Sequence, residues 1–363
     1  MTTILNGSVT ALFAFDIGYE VALEQLSRLP SSAPVQPLSP KKRTPTFLQY
    51  SKPPLVVQLG ETRPILSEPG RAQVTVFDFG AASIAYQWSL PSGTGALSLA
   101  DLQPLSRTLY ELNLEARAKE QIQVFLEENR SAIDRPELSP LVEDYYLFII
   151  EDFDQHLSAA NLLERHGSLI AQVLRFETQP LSLEQQAEAL NQRLSYYTND
   201  LVIVDWNAAL VYDRDYHDTV NVLELLNVEL LEARYIDEQL DRRISDYQRI
   251  ALKQRDSLVP LHTPNRKAIQ ALAELRLESL VLAEKVDNAL KLIGDLYLAR
   301  VHALAARRLY LQDWESAISR KLDIIASLYQ LLTDRVRTTQ SQTLELIIIA
   351  LILAEILMAV FFR

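Results

Sequence analysis

Two short runs carry side chains that could hold a metal ion. One is Asp152, Asp154 and His156, spaced by two; the other is Asp213, Asp215 and His217, followed by Asp218. Carboxylates and imidazole on a strand-to-helix turn can ligate Zn²⁺ or Mn²⁺. The same residue types cap helix N-termini and complement the helix dipole. Capping is the reading adopted here, so no catalytic residue, cofactor or bound metal is expected. A metal-dependent enzyme built on these Asp/His turns is the alternative function.

Other reaction chemistry is thinly represented. No Gly-rich phosphate loop and no Gly-x-Ser-x-Gly elbow occurs. With no cysteine among 363 residues there is no disulfide, thiolate zinc site or cysteine nucleophile. A net charge of −12 argues against direct DNA binding, which needs a basic footprint. Apolar residues make up 48% of the chain, enough for a substantial core.

The elements that would position these residues divide the chain in two. Eight of nine glycines lie at or before Gly167, so long helices are expected after it. Residues 1–213 read as an α+β domain. Strands are expected at Ser8–Phe15, Leu55–Leu59, Tyr145–Ile150 and Leu169–Phe176. Helices are expected at Tyr19–Leu29, Leu97–Asn129 (with a break near Leu112), Asp154–Arg165 and Leu183–Leu194. The proline-rich stretch 30–54, with Lys41-Lys42-Arg43, reads as a loop. Two hairpins share a pattern: Val76-Phe77-Asp78-Phe79-Gly80-Ala81-Ala82 and Ile203-Val204-Asp205-Trp206-Asn207-Ala208-Ala209. Gly80 and Asn207 are both tolerant of positive φ. The repetition suggests an internally duplicated α/β body.

Residues 214–340 read as a stalk. Leu226, Leu230, Ala233, Asp237, Leu240 and Ile244 alternate at spacings of four and three, a coiled-coil seam. Asp237 on that seam needs a partner, and Arg234 one turn back is the candidate for a stalk polar pair. Ser257–Thr263 turns the chain, and a second helix from Asn265 meets no strong breaker before the end. The two helices are expected to form a long antiparallel coiled-coil hairpin.

Residues 341–363 read as a transmembrane tail anchor. Leu346–Phe362 is apolar apart from Glu355, roughly 25 Å of helix. Arg335 and Arg337 precede it, which by the positive-inside rule leaves the body in the cytoplasm and the anchor single-pass in a cell inner membrane. A carboxylate such as Glu355 in that setting either faces another helix or, in a short tilted anchor, sits near the far headgroups; helix contact is the favoured reading, so a homo-oligomer is expected. The resulting reading is a membrane-tethered, non-enzymatic scaffold or assembly factor with a protein partner the sequence does not identify.

Several of these segments carry a family resemblance. The ending Leu344-Glu345-Leu346-Ile347-Ile348-Ile349, with Glu355 further on, resembles the C-terminus of the family named "required for meiotic nuclear division". Phe13-Ala14-Phe15-Asp16-Ile17-Gly18, the Val76–Ala81 hairpin, Leu230–Asp237 and Leu240-Asp241-Arg242 look like other parts of it. The resemblance implies a bacterial-type, non-enzymatic, self-assembling membrane protein. It also implies a link to translation, with the ribosome as a partner, because mitochondrial relatives hold ribosomes at the inner membrane.

Overall fold

A computed structural model describes residues 2–28, 32–34, 53–66, 68–253, 270, 273, 277, 280 and 296–361. Its residues fall into two compact units, Met1–Tyr235 with Lys285–Gln312, and Ile236–Glu284 with Asp313–Arg363.

The first unit is built on a nine-stranded mixed sheet. Its strands are β1 (Ile4–Asp16), β3 (Ser32–Pro34), β4 (Leu55–Thr62), β5 (Gly70–Val76), β6 (Ala81–Ser89), β8 (Glu143–Phe153), β9 (Arg193–Leu194), β10 (Leu201–Val204) and β11 (Ala208–Tyr212). The order is β3-β4-β5-β6-β1-β8-β11-β10-β9. The short strands β2 (Glu20–Val21) and β7 (Ile133–Asp134) pair separately. Period-two alternation along β1 sends Val9, Ala11, Phe13 and Phe15 to one face and Leu12 to the other. The first face packs under α2 (Leu102–Glu111), α3 (Leu114–Glu128) and α4 (Ala159–Leu174). The second lies under α6 (His217–Lys253) and α7 (Leu296–Arg308).

Both hairpins occur where the sequence places them, but the duplication does not carry into the topology. β6 pairs antiparallel with β1, whereas β11 pairs parallel with β8. Gly80 takes φ 98° in the first turn; positive φ outside glycine occurs, among the described residues, at Arg135, Phe176 and Tyr310, and Asn207 is not one of them. Leu169–Phe176 is not a strand: α4 runs through to Leu174, its buried residues Ile170, Ala171, Val173 and Leu174 lying against the core. A short apolar run fits either element, and here the preceding helical turns decide. The Tyr19–Leu29 helix shrinks to α1 (Leu23–Leu26), because Glu20 and Val21 are taken by pairing with β7. α5 spans Leu183–Ala189.

The second unit holds the end of α6 and most of α8 (Leu311–Phe361). Among the described residues, its buried apolar side chains are Ile236, Leu240, Ile244, Ile318 and Ile325. The expected unbroken helix from Asn265 is interrupted between Arg308 and Leu311, where Tyr310 takes φ 55°. The Ser257–Thr263 turn and the Lys41-Lys42-Arg43 spot lie outside the described residues.

The tail anchor is overturned. No helix among the described residues is long and apolar enough to cross a membrane. Glu355 divides the run, and the uncharged stretch Leu346–Ala354 spans only about 13 Å of helix against a hydrocarbon core of about 30 Å. The single-pass inner-membrane placement falls with it.

Candidate functional site

The first unit buries carboxyl groups where apolar packing would be expected. On the face of β1 that carries Leu12, the same alternation places Asp16, and Thr75 and Ser83 stand opposite each other on the neighbouring strands β5 and β6. That half of the sheet face is therefore polar. Across the first unit α6 is buried residue after residue from Val222 to Glu229, so three of its glutamates cannot reach water: Glu224, Glu229 and Glu232. Glu229 meets His302 of α7 at 3.1 Å. Glu143 is paired with Arg234, and its carbonyl accepts from Asn227 Nδ2 at 3.0 Å.

Glu224, Glu232 and Asp16 have no such cation among the described residues. Glu232 is 1% exposed and neither of its carboxyl oxygens has a hydrogen-bond partner; Glu224 Oε1 has none either. Burial pushes Glu224 up to about 6, opposed by the Ser83 and Thr75 hydroxyls, which face it without completing a hydrogen bond of ordinary geometry. Burial pushes Asp16 up to about 7, with a backbone bond at Gly18 opposing and Glu137 adding to the rise. Glu232 is driven well above the carboxylate range by burial and by Asp16 beside it. Two adjacent buried carboxyls cannot both ionise cheaply, so the pair retains a proton near neutrality. The chemistry on offer is proton uptake and release, out of reach of a substrate.

A second buried charge lies at the β10–β11 turn. Asp205 is 0% exposed. Its backbone N–H donates to Ala208 O at 2.8 Å, and its carbonyl accepts from Tyr145 Oη at 3.0 Å. Arg308 donates from Nε at 2.9 Å to one carboxylate oxygen, while Arg175 pairs with the other. Both arginines also reach Glu188, at 3.1 and 3.4 Å. Burial alone would lower the Arg308 pKa; its bonds to Asp205 and Glu188 outweigh that and raise it. The guanidinium sits 5.3 Å from the centre of the Trp206 ring, which tilts against Tyr310. This cluster escapes the sequence because Asp205 reads as a turn residue and its partner Arg308 is 103 residues away.

The metal candidates are occupied otherwise. Asp152, at the end of β8, pairs with Arg214. Asp154 Oδ1 accepts from the Thr3 N–H at 3.1 Å, and Asp213 Oδ1 accepts from the Asp215 N–H at 2.9 Å, an Asx turn. His156 is exposed, and His217 stacks on Tyr216. Among the described residues no group of three His, Asp or Glu side chains could hold a metal. The stalk pair also separates: Arg234 goes to Glu143, and Asp237 binds Lys321 at 2.6 Å, which holds Asp241 at 2.7 Å as well.

In the second unit the end of α8 is apolar on every side. Ten side chains from Leu344 to Met358 are each 49 to 64% exposed, and Glu345 and Glu355 are exposed among them.

Comparison with known proteins corrects the family resemblance. The family described as "Uncharacterized protein MJ0711, N-terminal domain" matches residues 6–219. A relative from Methanocaldococcus jannaschii, "Uncharacterized protein MJ0711", is 23% identical over 259 residues, covering 69% of this chain and 78% of the relative. No solved structure matches. Nothing links the chain to the meiotic nuclear division family, whose short motifs are strand and apolar-helix patterns that many folds share, and the ribosome expectation loses that support. The match runs from within β1 to the start of α6, so it includes Asp16 and Asp205 but not Glu224, Glu232 or Arg308, and on it the chain belongs to the MJ0711 N-terminal domain family.

Proposed function

We propose that this protein is a non-enzymatic assembly factor that associates with copies of itself through the last turns of α8. The observation that carries the reading is the run of exposed apolar side chains from Leu344 to Met358. At about 25 cal/mol per Å², burying a Leu or Ile side chain removes roughly 60–120 Å² from water, so ten half-exposed ones offer roughly 300–600 Å². A patch of that size matches the largest on a typical monomer, which is often functional. It is a substantial share of the ~800 Å² each partner contributes to a stable interface.

The occupant that fits is the same segment of other copies. A net charge of −12 makes the rest of the surface self-repelling, whereas Leu346–Phe361 carries one charge in sixteen residues. Apolarity around the whole circumference asks for neighbours on more than one side, as in a bundle of several copies. Light scattering coupled to size exclusion on the full chain tests this. The expected result is an oligomer that the pair Ile348→Asp and Ile352→Asp converts to a monomer. A monomeric parent chain overturns the reading. So does a parent chain that stays monomeric but sediments with lipid vesicles.

A further inference from the structure

We propose that α6 is a proton-held cover: it stays on the β5–β6–β1 face only while Asp16 and Glu232 share a proton and Glu224 is neutral, and rising pH releases it. The proposal rests on three observations. The helix segment from Val222 to Glu229 is buried on all sides, so it cannot turn its carboxyls to solvent without leaving the sheet. Both oxygens of Glu232 and one of Glu224 lack any hydrogen-bond partner, which an ionised carboxylate at such a position would not tolerate. Asp16, buried on a different element, is near enough to disfavour the charge on Glu232, so the two elements repel once both ionise.

The surrounding groups give no relief. Facing Glu232 from β1 is Asp16, and beside Asp16 is Glu137 on the segment between β7 and β8. From β8 comes Glu143, already paired with Arg234 of α6. From α7 comes His302, already on Glu229. Facing Glu224 from β5 and β6 are the neutral hydroxyls of Thr75 and Ser83. No Lys or Arg pairs with Asp16, Glu224 or Glu232 among the described residues. The protons are therefore what makes the contact neutral, and the folded state holds more of them than the open state at every pH between the two sets of titrations.

The sign follows. The docked state binds protons that the open state has released, so docking is strongest in mild acid and weakens as pH rises. With two extra protons held below pH ~6, the shared one and the one on Glu224, and one above it, the opening equilibrium of α6 rises at least tenfold per pH unit between pH ~5 and ~7. What opening uncovers is the polar strip of Thr75, Ser83 and Asp16, a surface that presents hydroxyls and a carboxylate in place of an apolar core.

Hydrogen exchange on the full chain, corrected for intrinsic rates, reads this directly. The expected result is that amides of residues 222–232 lose protection by at least tenfold per pH unit over that range while those of β1 and β8 do not. Glu232→Gln, which keeps the shape and removes one titrating group, lowers the slope. An α6 protection that is independent of pH overturns the proposal, as does an unchanged slope in Glu232→Gln. Infrared spectroscopy supplies a second reading that needs no variant. The protonated-carboxyl C=O stretch should persist in the wild-type chain at pH 7; its absence there overturns the proposal whatever the variant does.

Discussion

Replacing Arg308 by methionine measures what the buried charge at the β10–β11 turn contributes. Asp205 is fully buried and Arg308 is 6% exposed, so neither group can turn to water when the other is lost. Removing one partner of a buried pair costs about 3–5 kcal/mol, mostly the penalty of the charge left behind. Arg175 stays on the second oxygen of Asp205, which places the expected loss near the lower end, about 3 kcal/mol. Methionine keeps much of the arginine stem, so little of that figure is packing. Urea unfolding followed by far-ultraviolet circular dichroism gives the number. The double variant with Asp205→Asn should lose less than the sum of the two single losses by about 2 kcal/mol. Because the pair is sealed from solvent, the loss should barely change between low and moderate salt. A loss under about 1 kcal/mol for Arg308→Met, or strict additivity in the double variant, would refute the claim that the two groups depend on each other.

Gly80→Ala should cost at least ~3 kcal/mol, because a Cβ there meets Gly18 O at 1.9 Å and the backbone holds φ at 98°; Gly60→Ala, with φ 99° but open space, should cost only about 1 kcal/mol, and equal costs in denaturation would remove the steric argument. Glu224 titrates near 6 in the folded chain against an ordinary 4.5, so the folded state is favoured below pH ~4.5 and loses about 2 kcal/mol as pH rises through 6. Glu224→Gln should remove that loss, and melting curves at pH 4.5 and 7.5 that shift alike in both proteins would count against it.

Local pattern made some of this architecture legible. Tyr145–Ile150 is a continuous apolar run and lies inside β8, and the break near Leu112 falls between α2 and α3. Hairpins announce themselves through Asp-aromatic-Gly or Asp-aromatic-Asn turns, and both are present. Pairing between distant strands left no trace. Nothing in the two hairpins says that one docks antiparallel and the other parallel. The buried charges were hidden for a related reason. Glu224 and Glu232 look like the solvent face of a helix, and only the cover around them reveals that the face is inside. Asp237 was visible as an awkward seam charge, but its partner Lys321 is 84 residues on, while Arg234, four residues before Asp237's neighbour Glu238, turns to Glu143. The Asp/His turns drew attention through composition alone, and their side chains fasten turns.

The place of β1 at the centre of the sheet bears on how the chain is made. β1 leaves the ribosome before both of its partners: Leu12 pairs with Ala85 on one side and with Tyr145 on the other. At 5–20 residues per second, the wait for Tyr145 is roughly 7–27 s, during which an apolar strand has one edge open. Loop closure over such distances is slow, and open strand edges are where chains pair wrongly. The β5–β6 hairpin closes the other edge much earlier. A shielded edge during synthesis, more than the final stability of the sheet, is then what the early hairpin provides.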